Sequence, residues 1–174
     1  LIQDQRRDEA RAELQAAVDG SPINDAFWEL LANYEMTVDG CDARPVIERW
    51  LVLNPESGVA HDTFASFSEH MGDFDAAGKQ ADMALALSDS FAASQFIKLR
   101  QEIRDNPALA LKRAEGLIPK ARNTDAQRMV LAWLGIIHDK LGQYPNAADA
   151  FRLMTTILIA AKPLPEALKA VDDR

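Results

Sequence analysis

The chain holds a single cysteine, Cys41, in 174 residues. A lone thiol excludes an internal disulfide and a multi-cysteine zinc site, and it fits a reducing, cytoplasmic compartment. Bases are also scarce: 19 Lys and Arg stand against 27 Asp and Glu, a formal charge of -8. A phosphate-binding surface needs clustered Lys and Arg, so nucleic acid is excluded as a partner. No apolar run approaches the roughly 18 residues that span a bilayer, and no basic start with an apolar centre marks a signal peptide. A membrane partner is therefore not expected. There is no Gly-rich phosphate loop and no Gly-x-Ser-x-Gly elbow. The first residue is Leu1 rather than Met, so the chain is expected to be a piece of a longer protein.

What the chain does have is apolar content, 48% of its residues, enough for a continuous core. It also repeats itself. "MGDFDAAGKQADMA" from Met71 and "LGQYPNAADAFRLM" from Leu141 each open with an apolar residue, Gly, a polar residue and an aromatic, and each places Ala six residues on, Ala77 and Ala147. A shift of 34 or 35 residues recovers helical register at starts near Asn24, Gly58, Ala93 and Arg128. Phe27, Leu30, Leu31 and Tyr34 precede Ala43, Ile47, Trp50 and Pro55 in the first unit. Phe64, Ala65, Gly72, Phe74, Ala77, Ala81 and Ala84 follow in the second. Leu131, Leu134, Gly135, His138, Gly142, Tyr144, Ala147, Phe151 and Met154 make the fourth. Apolar positions stepping by three and four give two amphipathic helices per unit.

The third unit departs from this pattern. Phe96, Leu99 and Ile103 keep the first-helix spacing, but Asn106-Pro107 replaces the Gly-aromatic turn and starts the second helix early; Gly116 and Pro119 are expected to weaken or kink it. Ahead of the first unit, Ala10, Leu14, Ala17 and Pro22 sit at second-helix offsets. After the fourth, Leu164, Leu168 and Val171 share one face of a short closing helix.

The pattern resembles the tetratricopeptide repeat family, with its Trp-x2-Leu-Gly-x2-Tyr, Ala-x3-Phe and Pro positions, over nearly the whole chain. The resemblance implies an all-α fold, an α-solenoid of antiparallel helix pairs wound as a right-handed superhelix, in one repeat domain. A preceding helix takes residues 1–23, repeats take 24–57, 58–92, 93–127 and 128–162, and a closing helix takes 163–174. Ten helices and no sheet are expected. Small residues (Gly135, Ala65, Ala77, Ala147) let paired helices approach while Phe27, Tyr34, Phe74, Tyr144 and Phe151 fill the remaining volume. Gly72 and Gly142 cap their helices at positive φ, and Pro145 sits in a first helical turn.

In this family function lies on the concave wall built by the first helices, which holds an extended peptide or a partner helix. The family's inward-facing offsets fall on Trp28, Ala32, Glu35 and Met36; on Asp62, Ser66, Glu69 and His70; on Ile97, Gln101 and Arg104; and on Ala132, Ile136, Asp139 and Lys140. The expected ligand is a protein or peptide that is basic where it meets Glu35, Asp62 and Glu69 and apolar where it meets Met36 and the anchor Trp28. Charge reversal at Asp62 and Glu69 is expected to weaken binding with little change in stability. The Lys, Asn and Arg clamp of the chaperone-tail binders is missing, since Trp28, Ala32 and Thr63 stand at its offsets.

No catalytic, cofactor or metal residue is assigned. His61-Asp62 and His138-Asp139 lie two repeats apart, too far to share an ion, and His70 has no second His at metal spacing. Cys41 follows Gly40 in a turn with no His near it in sequence. Met129, Met154, Trp50 and Trp133 read as packing. The segment is therefore expected to be a non-enzymatic interaction module; the other reading is the repeat domain of a larger enzyme, such as a bacterial sulfotransferase that carries these repeats. "FRLMTTILIAA", from Phe151, is more apolar than a helix wetted on one side should be. It is expected to be covered in part by Leu168 and Val171, with the remainder on further chain or on a second copy of the C-terminal helices.

Overall fold

The computed structural model describes residues 2–38, 42–121 and 123–160. Cys41 and the closing helix expected over 163–174 lie outside them. Among the described residues there are nine α-helices, one 3₁₀ turn and no strand, so the fold is all-α. The helices are α1 (Ile2–Gly20), α2 (Asp25–Thr37), α3 (Arg44–Leu53), α4 (Gly58–His70), α5 (Phe74–Leu87), α6 (Ala92–Asp105), α7 (Pro107–Leu117), α8 (Thr124–Lys140) and α9 (Tyr144–Ala160).

Local chemistry explains where these helices start and stop. Asn24, Ser57, Asp73, Asn106 and Asn123 each turn a side-chain oxygen onto a backbone N–H of the helix they precede, a contact worth about 1 kcal/mol. Gly72 and Gly142 adopt φ of 79° and 71°. Both close the same double bond pattern: Gly72 N–H reaches Glu69 O and Asp73 N–H reaches Ser68 O, while Gly142 N–H reaches Asp139 O and Gln143 N–H reaches His138 O. Such a paired closure needs a left-handed residue at its corner. In the third unit Pro107 opens α7 behind the Asn106 cap. Contrary to the expectation from sequence, Pro119 does not kink that helix. The α-helix stops at Leu117, and Pro119 sits in the 3₁₀ turn Ile118–Lys120, where its missing N–H breaks no α-helical bond.

The chain divides into two compact units, Leu1–Lys98 and Leu99–Arg174, with the boundary inside α6. In the first, α4 packs on α2, α3 and α5. Trp28 and Trp50 stack at 6.3 Å with an 8° interplanar angle, fully buried among Val18, Leu31 and Ala60. Trp50 Nε1 donates to Asp25 at 2.8 Å, and the Arg49 guanidinium covers Trp28 at 5.3 Å. Further along, Ala65, Ala77, Ala81 and Ile97 form a cluster of small residues closed by one large one. In the second unit, Glu102 accepts both Nε and Nη2 of Arg113, at 2.8 and 2.6 Å, joining α6 to α7. Here α8 packs on α7 and α9.

Ala77 and Ala147 are buried, as their place in the repeat requires. Two aromatics are not where packing logic puts them. Phe74 and Tyr144, expected to fill interhelix volume, are 61% and 66% exposed. Each is the first residue of its helix, directly behind the glycine corner, and its ring leaves the corner outward. Phe151 does fill volume: a Cβ on Gly135 would come within 2.5 Å of its ring.

Candidate partner-binding surfaces

Four side chains of three types make the same kind of bond. Trp28 Nε1 donates to Pro22 O at 2.9 Å, His61 Nε2 lies 3.1 Å from Pro55 O, Gln95 Nε2 donates to Asp89 O at 3.1 Å, and Gln127 Nε2 donates to Ala121 O at 3.1 Å. Each is the fourth residue of its helix, α2, α4, α6 and α8, and each reaches the carbonyl six residues earlier. The bond ties the loop ahead of a first helix to that helix, and it gives a loop carbonyl a side-chain donor. His61 also lies with Nδ1 2.7 Å from Gln80 Oε1, which ties α4 to α5.

This bond sets the register of the four first helices. One, five, eight and nine residues after the donor come Glu29, Asn33, Met36 and Thr37 in α2 and Asp62, Ser66, Glu69 and His70 in α4. These four positions of α4 share one stripe and are the four residues anticipated there; Ser66 and His70 are exposed, Asp62 and Glu69 half-buried. In α2 the same positions include Met36 alone of the residues anticipated there; Glu29, Asn33 and Thr37 are exposed beside it.

The α2 expectation is one residue out. Trp28 is fully buried and is a packing residue, not a groove anchor. Ala32 is buried too. Glu35 is 2% exposed and holds the Arg11 guanidinium through Oε1. A shift of one residue turns a side chain by about 100° around a helix, enough to exchange an outward position for an inward one. Ile97, on α6, is likewise buried, against Ala65, Ala77 and Ala81. In α4, Asp62 does more than face outward: its Oδ1 accepts Ser94 N at 2.7 Å and the Ser94 hydroxyl. It thereby caps the first turn of α6 from a neighbouring helix.

The other expected residues fall in the second unit. Gln101 is half-buried; Arg104, Asp139 and Lys140 are exposed; Ile136 is 43% exposed. Arg104 donates to both carboxylate oxygens of Asp105, at 2.8 and 3.2 Å, and that hydrogen bond holds the Asp105 carboxyl below its ordinary range. Ala132 is half-buried. Of the expected residues, Met36, Asp62, Ser66, Glu69 and His70 thus lie on α2 and α4, two helices of the first unit that pack together, with Met36 against the cluster of Ala32, Ala43, Ile47 and Phe67.

A second surface was missed from sequence. In the second unit, Ile118, Ala121, Gln127, Val130, Leu131, Leu153 and Ile157 line an open cleft of about 330 Å³. Only Gln127 is polar among them. The helix-period pattern marked Leu131 as apolar, but nothing in the order of residues says that the 3₁₀ turn after α7 stands off from α9 there.

Among the described residues no three His, Cys, Asp or Glu side chains are grouped so as to hold a metal ion, and no helix is long and apolar enough to cross a membrane. No protein-family model and no curated protein sequence matches the chain.

Proposed function

We propose that this chain is a protein-interaction module of the tetratricopeptide type, which holds a peptide segment with basic and apolar residues on the outward stripes of α2 and α4. The observation that carries this reading is the state of α4. It is enclosed by α2, α3 and α5, yet Asp62, Ser66, Glu69 and His70 remain on one stripe turned away from the core, and the adjoining stripe of α2 adds the exposed Glu29 and Asn33. Neither helix contains a single Lys or Arg, while the two stripes carry the acids Glu29, Asp62 and Glu69. The Asn33 carboxamide both donates and accepts, as does the Ser66 hydroxyl, so the two suit the backbone of a bound extended chain. Leu30, 55% exposed beside Glu29, offers apolar contact. The acidic potential speeds encounter with cationic segments.

Glu29 and Ser66 are the residues to change, because both are exposed. Asp62 is a poor choice: as the cap of α6 it contributes about 1 kcal/mol of stability, so reversing it would not leave stability unchanged. An array of peptides pairing Lys or Arg with Leu or Phe, beside matched arrays with Glu in place of the bases, provides the probe. The basic set is expected to bind the native chain, with affinity falling several-fold in the Glu29→Lys, Ser66→Lys double variant and the loss shrinking at high salt, where exposed charges are screened. Equal binding of both arrays, or a double variant that binds like the native chain at low salt, sinks the proposal.

A further inference from the structure

The turns that precede α2 and α4 are tied together by side-chain hydrogen bonds. Asn54 Nδ2 donates to Pro22 O at 2.9 Å, and Asp25 accepts Trp50 Nε1 on one carboxylate oxygen and the Ser57 hydroxyl on the other, each at 2.8 Å. Both turns line an open pocket of about 400 Å³, whose wall includes Ile23, Asp25, Leu53, Asn54, Glu56 and Ser57. Its aliphatic side chains stand in water. Ile23 is 82% exposed and Leu53 47%, and Val52, the neighbour of Leu53, is 79% exposed. Large apolar side chains left this open around a pocket that hydrogen bonds hold in shape are the features of a contact site.

The polar groups of the pocket decide its occupant. Ser57 Oγ gives its proton to Asp25 and accepts Ala60 N at 3.1 Å, while Asn54 uses an amide N–H on Pro22 O. These donors are spent inside the protein, and what is left facing the pocket is carboxylate. Among the described residues neither Asp25 nor Glu56 forms an ion pair. Helices α2 and α4 both begin here, and their N-termini supply about half a positive charge each against two full negative ones, which leaves about one negative charge without a counterpart. We propose that this pocket takes a Lys or Arg side chain of a partner protein, its methylene stem on Ile23 and Leu53 and its cationic head at Glu56 and Asp25. Such side chains bury their stems on apolar surface while the charged end stays in water, and aliphatic walls with a wet acidic rim match both parts. A neutral aliphatic side chain would fill the walls and leave the acids unanswered, and an anion would be repelled. The pocket uses none of the residues assigned to the stripes of α2 and α4, so it stands apart from that reading.

The probe is a capped hexapeptide with one Lys between two Leu, beside analogues with Arg, norleucine or Glu in its place, titrated into the full chain while the Ile and Leu methyl signals are followed by NMR. The Ile23 and Leu53 signals are expected to shift and saturate with the Lys and Arg peptides. The norleucine peptide is expected to bind roughly tenfold more weakly, because two pairings worth about threefold each are lost. Glu56→Gln, at an exposed position, is expected to weaken the Lys peptide about threefold and to leave the norleucine peptide unchanged. Asp25 is kept, since it holds Trp50 and Ser57. Ser66→Lys obstructs the α4 stripe at a distance on the order of 13 Å along the helix from Ser57, beyond the roughly 8 Å screening length at 0.15 M salt, and is expected to leave the pocket response unaltered. Pocket signals that stay still with every peptide, equal affinity for the Lys and norleucine peptides, or a silent Glu56→Gln would overturn the proposal. Shifts confined to Leu30, or a pocket response lost in Ser66→Lys, would place the cation on the stripes and overturn it as a separate site.

Discussion

The α4–α5 pair of the first unit and the α8–α9 pair of the second share a corner but not a packing solution. The Gly72 and Gly142 corners carry the same positive φ and the same two closing hydrogen bonds. Behind the first corner Ala65, Ala77 and Ala81 meet as small on small, with Ile97 closing the cluster. Behind the second Gly135 leaves a hole that Phe151 fills. A repeat thus specifies its turn through backbone geometry, which tolerates few residues, and leaves the interhelix contact to whichever combination of volumes fills the space. The two pairs also differ in length: α4 has 13 residues and α8 has 17. The extra four make about one helical turn, so the corner and the start of the helix keep nearly the same face in both.

This contrast can be broken experimentally, and the largest effect is expected where small meets small. Ala81→Leu should cost roughly 3 kcal/mol, the upper end for overpacking, because Ala81 is wholly buried among its helix contacts. Urea denaturation followed by circular dichroism measures it. A cost under half that would mean that the Ala65, Ala77 and Ala81 contact is loose.

In the second pair the sensitive direction is reversed. Phe151→Ala empties the space over Gly135 and should cost about 2 kcal/mol, less than a full Phe-to-Ala cavity because the ring is 38% exposed. An unchanged denaturation midpoint would show that Phe151 is not the filler. The corners, by contrast, should respond alike. Gly72→Ala and Gly142→Ala each place a Cβ in the left-handed region, with nothing within 4 Å to clash, so the cost is conformational, about 1 kcal/mol each. Values differing by more than that cost would separate two turns that the hydrogen bonds make equivalent.

The smallest effect sharpens the comparison most. Gly135→Ala gains helix propensity of about 1 kcal/mol but pushes the Phe151 ring aside, so in the native background the two should nearly cancel. In a Phe151→Leu background the same change should stabilise by roughly the propensity gain. A double-mutant cycle with no coupling would refute the pairing of these two residues.

Much of this architecture was legible in the order of residues. Gly72 and Gly142 at their corners and Asn106-Pro107 at a helix start act through the local backbone, so their consequences do not depend on distant chain; the caps made by Asn24, Ser57, Asp73 and Asn123 are equally local, but they were recognised only in the structure. The 3.6-residue period marked the helices, and the small residues Ala77 and Ala147 marked contact points. Sequence by itself therefore determined an all-α chain of helices with the two glycine corners and the Asn106-Pro107 helix start. Which side of each helix faces out was decided only in the tertiary structure. The loop-to-helix bond made by Trp28, His61, Gln95 and Gln127 escapes a pattern search because an indole, an imidazole and two carboxamides share a donor N–H and little else. Without that bond as a ruler, α2 was placed one residue out, and about 100° of rotation turned Trp28 and Glu35 from an expected binding wall into the interior. The ring positions of Phe74 and Tyr144, the capping of α6 by Asp62 and the apolar cleft beside α9 have the same origin: each depends on how close two separate helices come, a distance set by summed packing rather than by any local pattern.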